Sequence, residues 1–143
     1  MEGTTLRVLS LDLGERRIGV AVSDPTGTIV TPVKAIVRND SEKRDVKAVL
    51  ELVTLYGAGA IVIGLPITLN GRLGHAARLV QNFVAALSLE SSVPIISQDE
   101  RFSTVEAERL LHESGHVPSR EKGLRDSASA SVILQSYLDR QGS

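Results

Sequence analysis

The sequence predicts an α/β domain built on a mixed five-stranded sheet flanked by helices. Three observations predict it: three β-like runs open the chain, a helical pattern follows them, and apolar runs then alternate with further helical patterns. Strands joined by short links form an antiparallel meander, whereas strands joined through helices run parallel. A chain of 143 residues has the length of one ordinary domain. We therefore expect residues 1–143 to form a single domain.

The first three strands are predicted to form the antiparallel meander. Residues 6–13 and 17–23 are β-like runs, and the short polar link 14–16 between them indicates a hairpin. A third strand is expected over residues 29–37, because residues 24–27 read Asp, Pro, Thr and Gly, which favour a turn.

A helix and a buried strand are predicted to follow the meander. Residues 41–56 carry Val and Leu at helical spacing, and we expect Gly57 and Gly59 to end this helix. Residues 60–65 are almost wholly apolar, as is typical of a strand covered on both faces. This strand is expected near the centre of the sheet.

The second half of the chain continues the alternation. A helix is predicted over residues 75–89 and a fifth strand over 93–98. A capping box of Ser and Glu predicts another helix over 103–114, and a final helix is predicted over 123–139. Residues 115–123 join these two helices and are interpreted as either a mobile lid or a simple linker.

Composition excludes several classes of protein. A hydrophobic content of 42% and a charged content of 23% are ordinary for a globular domain. The absence of cysteine excludes disulfides, thiolate metal sites and cysteine nucleophiles. No segment approaches 18 uninterrupted apolar residues and no secretory pattern occurs, so we expect a cytoplasmic protein that does not associate with a membrane. The net charge of −1 argues against nonspecific coating of nucleic acid.

Asp12 places a carboxylate near the end of an apolar strand. Strand alternation puts it on one face with Val8 and Ser10. Burying a carboxylate is unfavourable unless it is neutralised, paired or bound to a metal. Two interpretations stay open from the pattern: a metal ligand, or a structural acid that accepts hydrogen bonds from the hairpin turn or pairs with Arg16 or Arg17.

Further acids are predicted to lie near Asp12. Asp126 shares a helical face with core-like residues, although an aspartate near a helix start can also act as a cap. Asp99 and Glu100 end the fifth strand and point in opposite directions, and the pattern does not choose between them. Mg²⁺ and Mn²⁺ prefer carboxylate oxygens, and two such ions about 4 Å apart catalyse phosphodiester cleavage. Three converging acids therefore predict a divalent-metal nuclease.

Five segments carry a resemblance to a known family. They are LDLGERRIGVAVSD at 11–24, VIGLP at 62–66, NGRLG at 70–74, DERFSTVEAERLL at 99–111 and RDSASASVILQSYLD at 125–139. Together they closely resemble the YqgF family of RNase H-like nucleases, also described as RuvX-like Holliday junction resolvases. The resemblance covers nearly the whole chain and keeps the order of the motifs.

The resemblance implies an RNase H-like fold and a specific set of catalytic residues. It implies that Asp12, Glu100 and Asp126 bind the metal ions, and it selects Glu100 over Asp99. Members are described as bacterial cytoplasmic proteins implicated in maturation of the 5′ end of 16S rRNA. The chain departs from the family pattern at several positions, none of which removes a carboxylate: Asn70, Phe102, Ser103 and Ser129.

The leading hypothesis is a nuclease that uses Mg²⁺ or Mn²⁺, and we expect two ions. Its expected substrate is structured RNA, and precursor rRNA is favoured. Gly14 would let a phosphate approach the backbone, and four cations are candidates to contact phosphates: Arg16, Arg72, Arg101 and Arg125. Arg101 has the alternative of pairing with Asp99. An aromatic content of 3% favours recognition of RNA shape and backbone over base stacking.

Three alternatives are weighed against this hypothesis. A Holliday junction resolvase would use the same chemistry as a homodimer, because symmetric nicking needs two sites; the pattern leaves monomer and homodimer open. A noncatalytic RNA-binding factor for ribosome assembly would retain the fold without cleavage. An ATP-binding module of the actin type also uses Asp-x-Gly before a hairpin, but such folds need two lobes and 143 residues provide one.

Overall fold

The five strands of the computed structural model form one mixed sheet in the order β3-β2-β1-β4-β5. The structure describes residues 6–66, 74–99 and 122–141, and in the last range it describes side chains from residue 127 onward. The strands are β1 (Arg7–Leu13), β2 (Arg17–Ser23), β3 (Val30–Val37), β4 (Ala58–Leu65) and β5 (Ile95–Asp99). The described helices are α1 (Glu42–Tyr56), α2 (His75–Ser88) and α3 (Lys122–Gln141).

The strand directions confirm the predicted fold class. β1 pairs with β2, and β2 with β3, in antiparallel fashion, so the first three strands form the expected meander. β4 lies parallel to both β1 and β5. The carboxyl ends of β1, β4 and β5 therefore lie at one edge of the sheet, together with the β1–β2 turn.

Local signals set the ends of α1, with one correction. The Ser41 hydroxyl caps the helix by accepting a hydrogen bond from the Arg44 amide at 3.3 Å, and Gly57 ends it in the left-handed conformation with φ of 63°. The prediction that Gly59 helps to end the helix is wrong, because Gly59 lies inside β4. A Cβ at Gly59 would lie 2.6 Å from Cδ1 of Leu6. Glycine is needed there for the close approach of the chain next to β1.

The remaining predicted elements agree within two residues where the structure describes them. β5 begins two residues later than expected, and α3 extends the predicted final helix by one residue at its start and two at its end. The predicted helix over 103–114 lies outside the described residues. The predicted lid or linker over 115–123 does too, except that residues 122 and 123 belong to α3.

The helices cover the two faces of the sheet with different chemistry. α1 and α2 bury an apolar core against one face, in which Leu9, Leu11 and Phe83 are fully buried. On the other face α3 packs a smaller apolar cluster against the meander, with Ala21 and Leu134 fully buried, beside buried serine hydroxyls. Within the described ranges, no helix is both long and apolar enough to cross a membrane.

Candidate active site

Asp12 lies near the end of β1, on the face of the sheet that α3 covers. It pairs across the hairpin with Gly19 of β2, and its side chain is half-buried. Ser10, two residues earlier on the same face, is fully buried and donates its hydroxyl hydrogen to the Ala130 carbonyl at 2.7 Å. The predicted placement of Asp12 with Ser10 on one core-facing side of β1 is thus confirmed, and Asp12 sits where that side opens to solvent.

A cleft of about 250 Å³ opens at Asp12. It combines two carboxylates, two guanidinium groups and a hydroxyl with exposed turn backbone. Its lining residues are Asp12, Gly14, Glu15, Arg16, Arg17, Gly19 and Ser129. Cations beside a half-buried carboxylate give a surface on which a phosphate and a bound cation can both be held. The cleft therefore has the chemistry expected of a site for a phosphodiester.

The β1–β2 turn forms one wall of this cleft. The Gly14 amide donates a hydrogen bond to the Arg17 carbonyl at 2.9 Å, which closes the hairpin. A Cβ at Gly14 would lie 2.7 Å from that same carbonyl oxygen, so a side chain would force the turn to move. Gly14 is required by lack of space, and its exposed backbone leaves the cleft open above Asp12.

Ser127 fixes the start of α3 on the sheet. Its buried hydroxyl accepts a hydrogen bond from the Val20 amide at 3.0 Å and donates one to the Val33 carbonyl at 2.6 Å. The register between β2 and β3 shifts between Ile18 and Val20, and the hydroxyl bridges the two strands beside this irregularity. Because Asp126 directly precedes Ser127, the backbone position of residue 126 is set by this bridge.

The predicted site residues fall into three groups: those that line the cleft, those whose backbone alone is described, and those outside the described ranges. Asp12, Gly14 and Arg16 line the same cleft. Arg125 and Asp126 belong to α3, near its beginning, although their side chains lie outside what is described. The remaining predicted site residues lie outside the described ranges: Arg72, Glu100 and Arg101.

The described donors at the cleft suit a hard divalent cation. The Asp12 carboxylate and the Ser129 hydroxyl both present oxygen, the ligand atom that Mg²⁺ and Mn²⁺ prefer. In the parts of the chain that the structure describes, no group of three His, Cys, Asp or Glu side chains could by itself hold a metal ion. Asp12 is the one predicted metal ligand whose side chain falls within those parts.

Sequence reasoning missed the support of the turn behind the cleft. Asp45 is 1% exposed on α1, and it accepts hydrogen bonds from Nε of Arg38 at 3.0 Å and from the Asn39 amide at 3.1 Å. A signal was present, because Asp45 precedes Val49 and Val53 on the buried stripe of an amphipathic helix. The same signal singled out Asp126. The contribution of Ser129 to the cleft had no comparable signal.

Sequence comparison shows which family the chain resembles over nearly its whole length. The family model described as "RuvX: Holliday junction resolvase" matches residues 6–140. A "Putative pre-16S rRNA nuclease" of Roseiflexus sp. (strain RS-1) is 44% identical over 138 residues, which cover 94% of this chain and 95% of that protein. One from Thermoanaerobacter pseudethanolicus (strain ATCC 33223 / 39E) is 41% identical over 137 residues, covering 95% and 98%.

Structural comparison agrees with the fold. T. thermophilus RuvC in complex with Holliday junction substrate superimposes with a TM-score of 0.60 at 16% identity, covering 96% of this chain and 97% of that one. Another T. thermophilus RuvC structure gives a TM-score of 0.55 at 15% identity with the same coverage. The predicted RNase H-like fold is confirmed by these neighbours.

Proposed function

Since the chain belongs to the RuvX family, we propose that it is a metal-dependent nuclease that cleaves precursor 16S rRNA during maturation of its 5′ end. Family membership makes it a hydrolase of phosphodiester bonds. The observation that carries the proposal is the cleft at the end of β1, where the Asp12 carboxylate lies with Arg16 and Arg17. The names of the curated relatives supply precursor 16S rRNA as the substrate.

The proposed catalytic set is Asp12, Glu100 and Asp126. These acids would hold Mg²⁺ or Mn²⁺, with two ions expected, through carboxylate oxygens. When bound, such ions activate the attacking water and stabilise the charge that develops on the leaving oxygen. Asp12 would supply its carboxylate from β1, the central strand of the sheet, and the Ser127 bridge positions the backbone of residue 126 against the sheet.

The protein's cations would position the RNA backbone. Arg16 is exposed at the cleft, beside the turn backbone at Gly14, and a phosphate can approach both. Three further cations are proposed phosphate contacts: Arg72, Arg101 and Arg125. Contacts of this kind make affinity depend on salt concentration, and they carry no base sequence. We propose a cytoplasmic single-domain nuclease that acts without a membrane.

Cleavage of a four-way DNA junction is the second candidate. The description of the family model and the likeness to the fold of RuvC favour it. It requires a homodimer, because two symmetric strands must be cut together. Sedimentation of a monomer only, with and without junction DNA, would exclude this candidate and leave a monomeric RNA nuclease.

The deciding experiment compares the wild type with Asp12→Asn. Substrates are precursor 16S rRNA, a four-way DNA junction and single-stranded oligonucleotides, each with Mg²⁺, with Mn²⁺ and with chelator. Losing a supporting partner of a metal ligand typically costs about 10–100-fold, so loss of a ligand itself should lower cleavage by at least about 100-fold. Chelator should abolish wild-type cleavage.

Asp40→Asn is the matched control, because it neutralises an exposed acid that does not line the cleft. We expect it to cleave like the wild type. Equal cleavage by the wild type and Asp12→Asn would refute the proposed mechanism. Binding of precursor rRNA with no cleavage by any variant would instead favour a noncatalytic assembly factor.

A further inference from the structure

Arg38 connects the turn of the cleft to the opposite side of the sheet. It follows β3, and its Nη1 donates a hydrogen bond to the Gly14 carbonyl at 2.9 Å while its Nε donates to Asp45 at 3.0 Å. Its backbone amide also donates to the Arg16 carbonyl at 2.8 Å. One residue therefore contacts the β1–β2 turn at both Gly14 and Arg16.

The other end of this connection is buried. Asp45 is 1% exposed, whereas the Arg38 side chain is 22% exposed. The guanidinium carbon also lies 5.9 Å from the ring centroid of Phe83, which is fully buried. A guanidinium is a planar fork with fixed angles between its nitrogens. Because Nε is held by the buried Asp45 carboxylate of α1, α1 determines where Nη1 lies at the Gly14 carbonyl.

Arg38 is a cation close to the cleft, but its contacts argue against a direct role in binding phosphate. It does not belong to the residues that line the cleft. Two of its guanidinium nitrogens already donate to protein oxygens. These contacts indicate a role in holding the β1–β2 turn in place.

We infer that Arg38, anchored on Asp45, is a positioning residue that holds the turn at Gly14 and Arg16 in the place where Asp12 and Arg16 share one cleft. The inference rests on the proposed function for the meaning of that cleft. The turn begins two residues after Asp12 and carries Arg16. Its displacement would therefore change the distance between the Asp12 carboxylate and the Arg16 side chain in the cleft. Partners bonded directly to a metal ligand typically change metal affinity by about 10–100-fold, and Arg38, which acts on Asp12 through the turn, is expected at the lower end of that range.

Arg38→Lys tests the inference. Lysine keeps the positive charge for Asp45 but replaces the fork with one nitrogen, so it cannot reproduce both arms. We expect hydrogen exchange at the Gly14 amide to accelerate by about tenfold or more relative to the amides of β4, and Mn²⁺ alone to bind about 10-fold more weakly. Asp45→Asn, which weakens the anchor, should change both quantities in the same direction.

Val49→Ala is the matched control for a purely structural role. Val49 is fully buried on α1, one turn after Asp45, and it contacts the apolar core. This variant should lower global stability while leaving Mn²⁺ affinity, and the exchange of Gly14 relative to β4, at wild-type values. Gly14→Ala displaces the turn directly and should reproduce both effects of Arg38→Lys.

The inference is overturned if Arg38→Lys changes exchange and Mn²⁺ affinity no more than Val49→Ala does. It is also overturned if Arg38→Lys weakens binding of an oligonucleotide while both of those quantities stay at wild-type values, because Arg38 would then contact substrate directly. Neither readout requires cleavage. If the wild type binds no Mn²⁺, the proposed function fails, and the exchange of Gly14 alone decides whether Arg38 holds the turn.

Discussion

The two faces of the sheet are held to their helices by different forces. On the α1 and α2 face the contacts are mainly apolar, apart from a buried ion pair of α1, and neighbouring strands bury Leu9, Leu11 and Ile63 completely. On the α3 face the buried contacts include hydroxyl groups that bond directly to backbone, as Ser10 and Ser127 do. Adjacent residues of β1 show the contrast, since Leu9 enters the apolar core and Ser10 bonds to α3.

The two kinds of contact contribute differently to the free energy of folding and to the placement of the helices on the sheet. Apolar burial is favourable in proportion to area and has no preferred direction. A hydrogen bond between a hydroxyl and one backbone group is directional and fixes how a helix lies along a sheet. The face that carries Asp12 adds the second kind of contact to an apolar cluster of its own. We infer that directional contacts, from α3 through Ser127 and from α1 through Asp45 and Arg38, set the geometry of the cleft. The apolar core under α1 and α2 supplies most of the free energy of folding.

Truncation of Leu9 should give the largest loss of stability. Leu→Ala at a fully buried position costs about 2–5 kcal/mol through lost burial and the cavity left behind. Chemical denaturation measures this loss, and Mn²⁺ titration of the folded variant should give wild-type affinity. Ser10→Ala, at the next residue, is the control, with a loss of about 1 kcal/mol expected for one hydrogen bond. A smaller loss for Leu9→Ala than for Ser10→Ala would contradict the contrast between the faces.

Removal of the Ser127 hydroxyl should have a smaller effect on stability and a larger one on the site. Ser127→Ala leaves the Val20 amide without its bond, and a buried donor without a partner costs about 1–3 kcal/mol. We also expect Mn²⁺ to bind up to about 10-fold more weakly, the lower end of the range for direct partners of a metal ligand. The reason is that this bridge positions the backbone next to residue 126, a proposed ligand. Denaturation and Mn²⁺ titration measure the two effects.

The control for that variant lies four residues further along α3. The Ser131 hydroxyl donates to the Ser127 carbonyl at 3.1 Å, within the same helix. Ser131→Ala should therefore change stability by less than about 0.5 kcal/mol and leave Mn²⁺ affinity unchanged. If the two serine variants behaved alike, the bridge between β2 and β3 would have no special role in the site.

The contrast between the faces also explains what the sequence could predict. Residue periodicity identified the meander, the helices that the structure describes and the face on which Asp12 lies, because the spacing of apolar residues along an element shows which face it buries. The Ser127 bridge needs the irregular register of β2 and β3, which no local pattern specifies. Gly59 was misassigned for a related reason, since the need for glycine comes from Leu6, which lies far away in sequence, just before β1.

The site residues that could be predicted were likewise those with a local signal in the sequence. A lone acid on an apolar strand marked Asp12, and a glycine in a short link marked Gly14. Arg38 carried no such mark, because its role depends on the end of β3 meeting the β1–β2 turn in space. The anchor Asp45 did have a local signal, as an acid on a buried helical stripe, but nothing local pairs it with Arg38.

The β2–β3 turn extends the comparison to the other end of the α3 face, with the smallest expected effect. Backbone hydrogen bonds from Ile29 and side-chain hydrogen bonds from Thr26 hold the pKa of the Asp24 carboxyl well below its ordinary value. Amides of Ile29 and Thr28 donate to Asp24 at 2.9 and 2.8 Å. A Cβ at Gly27, within this turn, would lie 3.8 Å from Leu138 of α3. The turn therefore lies next to the helix.

Because the folded pKa of Asp24 is lowered, the carboxylate stabilises the fold above the ordinary pKa of 3.8, and this stabilisation is lost as the pH falls further. The difference in urea midpoint between the wild type and Asp24→Asn should be constant from about pH 7 to about pH 5 and shrink toward about pH 2. We expect this difference to be smaller than that for Ser127→Ala, because water reaches the turn. If the difference in urea midpoint stayed the same as the pH fell, the charge of Asp24 would not hold the turn. The directional contacts of the α3 face would then not include those made by this carboxylate.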